Sequence, residues 1–312
     1  MDLENRPRAK INLALAVAGV RADGYHELSS VFLRVGLSDR ISVRLADRAD
    51  GHDILTITGS TDLVVEGNLV LRAVGSLRAE VGAPLPPLDL ELEKLIPLAA
   101  GLGGGSADAA AALGLAAAVW GVGLSPARER VLARSLGADV PFFMSGQAAA
   151  LAQGIGERIE PLPGIRGDVG LLLVTPAPRL STPEVFRAYD SLGPSVSRAA
   201  ALVADLARAL RDGLDGRALV DWTDRLAPAN DLWPAALALE PRLGGIRGAL
   251  EAALGRPVVM TGSGSTLVAL YHSGDEASMV GQRLAAGLPE ALAGSSILAC
   301  DPIGPDPIWR YP

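Results

Sequence analysis

Four of the five residues from Gly101 to Gly105 are glycine, and this segment constrains the chain more than any other. It follows Leu88 to Leu95 (LDLELEKL), whose apolar residues alternate as in a strand, and precedes an alanine-rich stretch typical of a buried helix. Glycine permits positive φ and lets backbone amides approach an anion. The order strand, glycine loop, helix directs a helix N-terminus toward a phosphate. Because the chain has 36 glycines, a chance cluster is the alternative.

The residues around these glycines exclude two common phosphate loops. A P-loop ends in Gly-Lys-Ser or Gly-Lys-Thr, and no lysine follows Lys94. A dinucleotide fingerprint needs a third glycine, where this chain has Ser106, and an acidic residue about 20 positions further on. After Asp108 the next acid is Glu129, beyond the predicted helix. Asp108 itself, in the first turn of that helix, is a candidate either to hold a metal ion or to interact with the helix dipole.

The length of 312 residues favours two domains with a cleft between them, since domains commonly have roughly 100 to 200 residues. Glycines and prolines cluster at 154–167, and we place the boundary there. This predicts an N-terminal domain over 1–157 and a C-terminal domain over 158–312, the latter ending in a proline-rich surface tail from Asp301.

The hydrophobic pattern predicts a mixture of strands and helices. Predicted strands are 11–18, 40–45, 54–58, 88–95 and 169–175, together with strands flanking 261–265. Predicted helices are 68–81, the stretch after the glycines, 199–211 and 243–254.

Composition excludes several classes of function. The net charge is −7 without a basic run, which argues against nucleic acid as a partner. The longest uncharged stretch, Ala109 to Ala127, is mostly alanine with glycine and proline, so we interpret it as a buried helix and a turn rather than a membrane span. The single cysteine, Cys300, excludes an internal disulfide and is compatible with the cytoplasm. One cysteine and three scattered histidines predict no structural metal site.

Only two of the 28 basic residues are lysine, Lys10 and Lys94, and both lie beside segments with candidate chemistry. A compact ammonium suits a phosphate or hydroxyl better than a planar guanidinium. Asp139, in GADVPFF, stands among apolar residues where a carboxylate can take a proton from a hydroxyl, although a helix-capping or turn aspartate explains it equally well. Tyr25 and His26 follow an Asp-Gly turn signal, where they either bind a nucleobase or pack on the core.

Pro97-Leu-Ala-Ala-Gly-Leu-Gly-Gly-Gly-Ser106 resembles the central phosphate loop of the GHMP kinases, the family of galactokinase, homoserine kinase and mevalonate kinase. Four further segments resemble motifs of one branch of this family, in the same order. They are Ala9-Lys-Ile-Asn-Leu13, Arg21-Ala-Asp-Gly-Tyr-His-Glu-Leu28, Leu136-Gly-Ala-Asp-Val-Pro-Phe142 and Thr261-Gly-Ser-Gly-Ser-Thr266. The resemblance covers most of residues 8 to 270. Ala99, Ala100 and Ala107 depart from the glycines and serine that many relatives carry there.

This resemblance implies an α+β, two-domain GHMP kinase fold with the active site in the cleft. It implies transfer of the γ-phosphoryl group of ATP, with Mg²⁺, to a hydroxyl of a cytidyl diphosphate sugar alcohol in non-mevalonate isoprenoid synthesis. The alternatives are a GHMP kinase of the homoserine or mevalonate type and a non-catalytic nucleotide-binding regulator. We expect a cytoplasmic monomer or weak homodimer that binds neither nucleic acid nor membrane.

The resemblance also implies roles for individual residues. Lys10 and Asp139 match the catalytic pair, and Tyr25 and His26 match residues that hold the cytosine. Residues implied to contact other parts of the acceptor are Asn12, Thr182, Gly262 and Ser263. Residues implied to bind ATP are Asn68, Lys94, Pro97, Leu98, Ala99, Ala100, Gly101, Leu102, Gly103, Gly104, Gly105, Ser106 and Ala107. Asn230-Asp231 also resembles a family segment, without a role that the sequence reveals.

Overall fold

A computed structural model of the chain describes residues 2–48, 51–59, 65, 67–193 and 197–305. The strands are β1 Leu3–Asn5, β2 Arg8–Val20, β3 His26–Ser38, β4 Arg40–Leu45, β5 Ile54–Thr58, β6 Leu88–Glu93, β7 Ala149–Gly154, β8 Arg158–Leu162, β9 Gly170–Thr175, β10 Val259–Met260, β11 Leu267–Tyr271 and β12 Ser296–Cys300. The α-helices are α1 Leu69–Val81, α2 Gly104–Trp120, α3 Pro126–Leu136, α4 Val140–Met144, α5 Thr182–Ser191, α6 Ala200–Arg211, α7 Gly216–Asp221, α8 Thr223–Leu226, α9 Trp233–Leu239, α10 Arg242–Leu254 and α11 Gly274–Ala286. Each predicted strand and helix is confirmed, with shifts of at most a few residues at its ends.

The described strands form three four-stranded sheets. The first has the order β1-β4-β6-β5, with only the β5–β6 pair parallel. In β6 the leucines alternate as predicted, and Leu88, Leu90 and Leu92 are all buried under α1 and α2. The glycine segment continues from this strand into α2, so the first sheet and its helices determine where the loop lies.

The second sheet has the order β2-β3-β7-β8, all antiparallel. Strand β2 is buried along most of its length, which explains its nearly continuous apolar sequence. Lys10 and Asn12 are the polar residues inside this buried stretch. Because β8 pairs with β7, residues 158–162 extend the second sheet, and the division of the chain after residue 157 stays a prediction.

The third sheet has the order β10-β11-β9-β12, and its core includes residues of α9, α10 and α11. The chain then returns toward β3, where the Gly36 amide donates to the Asp301 carbonyl at 2.8 Å and the Ile303 amide donates to the Arg34 carbonyl at 3.2 Å. The predicted surface tail therefore begins with residues paired to a strand. Its last part, residues 306–312, lies outside the described residues.

Helix α2 has apolar residues on all sides, with Ser106 and Asp108 as its polar residues, and every residue from Ala107 to Ala117 is buried. Such a helix belongs in a core, and its small alanines let α1 and α4 pack closely against it. This confirms the interpretation of the uncharged stretch 109–127 as a buried helix and a turn. In the part of the chain that the structure describes, no helix has the length and apolar character to cross a membrane.

Candidate active site

A cavity of about 400 Å³ lies where the glycine segment, the start of β2, the start of α4 and the Thr261–Ser265 loop come together. Most of the predicted site residues line it. They are Lys10, Asn12, Lys94, Pro97, Leu98, Ala99, Ala100, Gly101, Leu102, Gly103, Gly104, Gly105, Ser106, Asp139, Thr182, Gly262 and Ser263. The structure thus brings into one cavity segments that lie more than 200 residues apart.

The glycine loop is held by close backbone contacts that require glycine at particular positions. Gly101 has φ +77°, and a Cβ there would lie 2.2 Å from the Thr261 carbonyl oxygen. Gly103 also has positive φ, at +71°. Between these two glycines, the Leu102 carbonyl accepts a hydrogen bond from the backbone amide of Lys10 at 3.0 Å. Ala99 adopts φ +50°, a left-handed conformation that is costly for any residue with a Cβ. The loop is therefore fixed against both β2 and the Thr261–Ser265 loop.

The N-terminus of α2 faces the cavity without a side-chain cap. Its N-cap residue is Gly103, so no side chain accepts a hydrogen bond from the first amides of the helix. Gly105, in the first turn, lines the cavity, and a Cβ there would meet no atom within 4 Å. Free amides, open space and the positive end of a 17-residue helix together suit a phosphate.

Lys10 is buried, and a polar network holds its ammonium in place. The Lys10 Nζ donates to Asn12 Oδ1 at 2.7 Å, and Asn12 Nδ2 donates to Ser30 Oγ at 2.7 Å. Ser30 in turn donates to the Ala14 carbonyl at 2.7 Å. A buried ammonium needs such partners, and the network keeps the lysine aimed at the cavity.

Asp139 is the carboxylate partner of this lysine, with Oδ2 3.4 Å from Lys10 Nζ. Asp139 occupies the N-cap position of α4, yet its side chain makes no capping hydrogen bond. The side chain is 27% exposed, which leaves the carboxylate accessible from the cavity. Of the two interpretations that the sequence left open, the geometry disfavours the helix cap.

The second glycine loop, Thr261–Ser265, is fixed by hydrogen bonds to three other segments. The backbone amide of Asn12 donates to Thr261 Oγ1 at 2.8 Å, and Thr182 Oγ1 lies 2.8 Å from Ser263 Oγ. The buried Asn230 donates through Nδ2 to the carbonyls of Met260 and Gly262, at 2.8 and 2.9 Å. Asn230 thus positions this loop, a role that the sequence did not reveal.

Lys94 lines the cavity, but its ammonium is engaged beneath the glycine loop. It donates to the carboxylates of Asp39 and Asp108, the latter at 2.6 Å, and all three side chains are buried. Burial raises the pKa of Asp108 to about 7, against the opposing effect of Lys94. Asp108 Oδ1 has no hydrogen-bond partner among the residues that the structure describes. Asp108 is thus partner to a lysine rather than a group exposed to a metal ion.

Four predicted residues lie outside the lining of the cavity. Asn68 is the N-cap of α1, where its side chain accepts from the Val70 amide at 2.9 Å, and Ala107 is buried inside α2. Tyr25 is 60% exposed, in the turn between β2 and β3. His26 is buried and begins β3. The roles of Tyr25 and His26 in holding the cytosine stay predictions.

The side chain of His26 contacts helix α5. Its Nε2 lies 2.6 Å from Asp190 Oδ1, and its ring stacks on that of Phe186 at 4.9 Å with 29° between the planes. Phe186 itself lines the cavity. Neither Phe186 nor Asp190 was predicted, because they lie 160 or more residues from His26 and belong to an amphipathic helix without a motif.

In the described ranges no group of three or more His, Cys, Asp and Glu side chains is arranged to hold a metal ion.

The family model for the GHMP kinases N terminal domain matches residues 68–147, which include the glycine loop and Asp139. The chain is 40% identical over 290 residues to 4-diphosphocytidyl-2-C-methyl-D-erythritol kinase of Rhizobium meliloti (strain 1021), covering 90% of each chain.

The chain belongs to the 4-diphosphocytidyl-2-C-methyl-D-erythritol kinase family. Another member, from Pelotomaculum thermopropionicum, is 41% identical over 281 residues, covering 88% of this chain and 91% of that protein. A crystal structure of 4-(cytidine 5'-diphospho)-2C-methyl-D-erythritol kinase superimposes with a TM-score of 0.70 at 33% identity, covering 96% of this chain and 99% of that one.

Homoserine kinase from Cytophaga hutchinsonii has the same fold, with a TM-score of 0.66 at 21% identity, covering 98% and 96% of the two chains. These likenesses confirm the predicted α+β GHMP kinase fold and the family that the sequence motifs indicated. The residue roles remain predictions.

Proposed function

We propose that this protein transfers the γ-phosphoryl group of ATP to the 2-hydroxyl of 4-diphosphocytidyl-2-C-methyl-D-erythritol, in non-mevalonate isoprenoid precursor synthesis. The observation that carries the proposal is the Lys10 and Asp139 pair, 3.4 Å apart and in the same cavity as the glycine loop. The choice of acceptor is supported by relatives of that name, which match about nine tenths of this chain.

On the donor side, the first amides of α2 and the backbone of the glycine loop would receive the phosphates of ATP. The support is the absence of a side-chain cap at Gly103 and the open space over Gly105. Ser106 lines the same cavity, and its hydroxyl would hold Mg²⁺ together with phosphate oxygens, because this ion often takes few ligands from protein. Bound Mg²⁺ supplies neutralisation of charge on the transferred group.

On the acceptor side, Asp139 would accept the proton of the attacking hydroxyl. Lys10 would offer positive charge where negative charge develops on the transferred group. Phosphoryl transfer depends mainly on alignment and charge neutralisation, so one carboxylate, one ammonium and a rigid loop are sufficient. Asn12, Thr182 and Ser263 would contact the acceptor beside this pair, since they line the same cavity.

The cytidine end of the acceptor would lie toward Tyr25, His26 and Phe186. Phe186 offers an aromatic face inside the cavity, and Tyr25 offers an exposed ring at the β2–β3 turn. Aromatic rings commonly stack on unpaired bases, and histidine offers hydrogen bonds to a base edge. Binding would require Tyr25, which lies outside the cavity lining, to approach the base.

The test is to incubate the protein with ATP, Mg²⁺ and 4-diphosphocytidyl-2-C-methyl-D-erythritol, and to follow ADP release and the mass of the product. Homoserine and mevalonate serve as control acceptors. The proposal predicts turnover with the cytidyl substrate alone. Turnover of a control in its place would overturn the acceptor assignment, and ATP binding without turnover of any acceptor would favour a nucleotide-binding regulator.

A further inference from the structure

A buried arginine, Arg34, contacts the C-terminal part of helix α4, whereas Asp139 stands at the N-terminus of this helix. Arg34 on β3 and Lys10 on β2 are directly paired in the antiparallel ladder, so the two cationic residues are neighbours across the strands. Lys10 meets Asp139, at the start of α4. Arg34 meets the other end of the same helix.

Arg34 donates hydrogen bonds to backbone carbonyls at the C-terminal side of α4. Its Nη2 donates to the Phe142 and Phe143 carbonyls at 3.4 and 3.2 Å, and its Nε donates to the Gln147 carbonyl at 3.0 Å. The two phenylalanine carbonyls also accept the Ser145 and Gly146 amides, at 3.2 and 3.3 Å, and a cation beside a helix C-terminus adds a favourable charge interaction. The planar guanidinium, with several donors in fixed directions, suits this task better than an ammonium.

These hydrogen bonds connect Arg34 to the backbone of Asp139 in two steps. The amides of Phe142 and Phe143, whose own carbonyls bind Arg34, donate to the Asp139 carbonyl at 3.1 and 3.4 Å. The helix has five residues, too few to hold its own geometry, and the Asp139 side chain makes no capping bond that would help. The position of the carboxylate therefore depends on how the rest of α4 is held.

An aromatic cluster connects the two cations as well. The Arg34 guanidinium lies 5.2 Å from the Phe142 ring centre, and that ring meets Phe32 edge to face at 5.4 Å. Lys10 Nζ lies 4.7 Å from the centre of the Phe32 ring. A displacement of α4 would thus alter the surroundings of both members of the Lys10 and Asp139 pair.

We propose that Arg34 is a positioning residue for phosphoryl transfer, holding α4 so that the Asp139 carboxylate stays beside Lys10. This inference rests on the proposed function, because the role of Asp139 as acceptor of the hydroxyl proton is part of that proposal. Arg34 does not line the cavity, and so its removal should lower kcat while leaving the binding of ATP nearly unchanged.

The test compares Arg34→Met with a matched control, Arg247→Met. Arg247 also donates to two backbone carbonyls, of Ala227 and Val258, and lies 4.9 Å from the Trp233 ring, but it does not line the cavity or contact α4. Both variants keep an apolar stem of similar length. We expect Arg34→Met to lower kcat about tenfold or more, with the Kd for ATP changed less than about threefold, and Arg247→Met to lower the Tm with kcat retained.

Arg34→Lys should recover part of the lost kcat, since an ammonium can replace some of the donors. If Arg34→Met does not fold, Arg34→Lys is judged by the same split between kcat and Kd. A kcat within about twofold of wild type, or parallel losses of kcat, ATP binding and Tm, would overturn the inference.

A crystal structure of the variant gives a readout that does not depend on the acceptor. The inference predicts that the Lys10 to Asp139 separation exceeds the 3.4 Å of the native chain. An unchanged separation contradicts it. Absence of wild-type turnover would instead refute the proposed function, leaving this structural comparison to decide the role of Arg34.

Discussion

The glycine loop is best tested at Gly105, where the protein tolerates a methyl group and a bound phosphate should not. Gly105 is exposed and does not have positive φ. A Cβ added at this position would have none of the surrounding described atoms within 4 Å. Alanine there should therefore leave the fold intact, and by its helix propensity it should raise the free energy of unfolding by up to about 1 kcal/mol.

The same methyl would occupy cavity space at the first turn of α2, where the amides are free. If a phosphate lies there, the methyl group keeps a phosphate oxygen beyond hydrogen-bond distance of the helix amides. Losing one hydrogen bond to a charged group costs about 1.5–3 kcal/mol, which corresponds to a rise of roughly ten- to a hundredfold in the KM for ATP. The KM for the acceptor should stay near the wild-type value.

The matched control is Gly75→Ala, an exposed position inside α1 that also lacks neighbours within 4 Å. It should gain about 0.5–1 kcal/mol of stability without any change in KM. Urea unfolding and steady-state kinetics on both variants decide the matter. A Gly105→Ala protein of increased stability with an unchanged KM for ATP would refute the phosphate assignment.

Two further predictions concern charge and the acceptor. Because burial raises the pKa of Asp108 from 3.8 to about 7, its contribution to stability is complete below about pH 4 and is lost as pH rises through about 7. Asp108→Asn should remove this dependence. Measured by urea unfolding, the free energy of unfolding of the variant should therefore rise relative to that of wild type by on the order of 2 kcal/mol between about pH 5 and about pH 8. A difference in free energy of unfolding that stays constant across that range would contradict the assignment. Tyr25→Ala, at an exposed side chain, should leave the Tm unchanged and raise the KM for the cytidyl substrate roughly 5- to 150-fold, because a lost stacking partner costs about 1–3 kcal/mol. An equal KM in both proteins would exclude stacking by Tyr25.

Much of the fold follows from local sequence signals. Helix α1 begins after Asn68, which caps it, and ends at Gly82 with φ +68°, so both ends carry residues with a known local preference. Strands β4 and β5 were predicted with their observed bounds, because alternation and β-branched residues are local properties. The buried helix after the glycines follows in the same way from its continuous alanines.

Strand β3 was missed, and its polar residues show why. Ser30 and Arg34 are buried there, since Ser30 bonds to the Ala14 carbonyl and Arg34 to carbonyls more than 100 residues away. A sequence pattern cannot show that such groups find partners in the fold. The conformation of His26 could not be predicted for the same reason, because its partners lie on α5.

The candidate site was predicted where motifs coincide with backbone requirements. Gly101 and Gly103 need positive φ and close approach, which the sequence expresses directly as glycine. Lys94 stood out by the rarity of lysine and by the family resemblance, whereas its ion pairs with Asp39 and Asp108 are a tertiary feature that neither signal shows. Asn230 had a recognisable segment but no role until the Thr261–Ser265 loop was seen to accept its hydrogen bonds.

The most direct test of the account is phosphoryl transfer by Asp139→Asn, followed by ³¹P NMR with ATP, Mg²⁺ and the cytidyl substrate, with ATP affinity measured on the same protein. Asparagine keeps the shape of the side chain and removes the charge that faces Lys10. The account predicts a loss of at least about a hundredfold in kcat with ATP affinity within about threefold of wild type. Transfer at the wild-type rate would contradict the assignment of Asp139 and Lys10 as the catalytic pair.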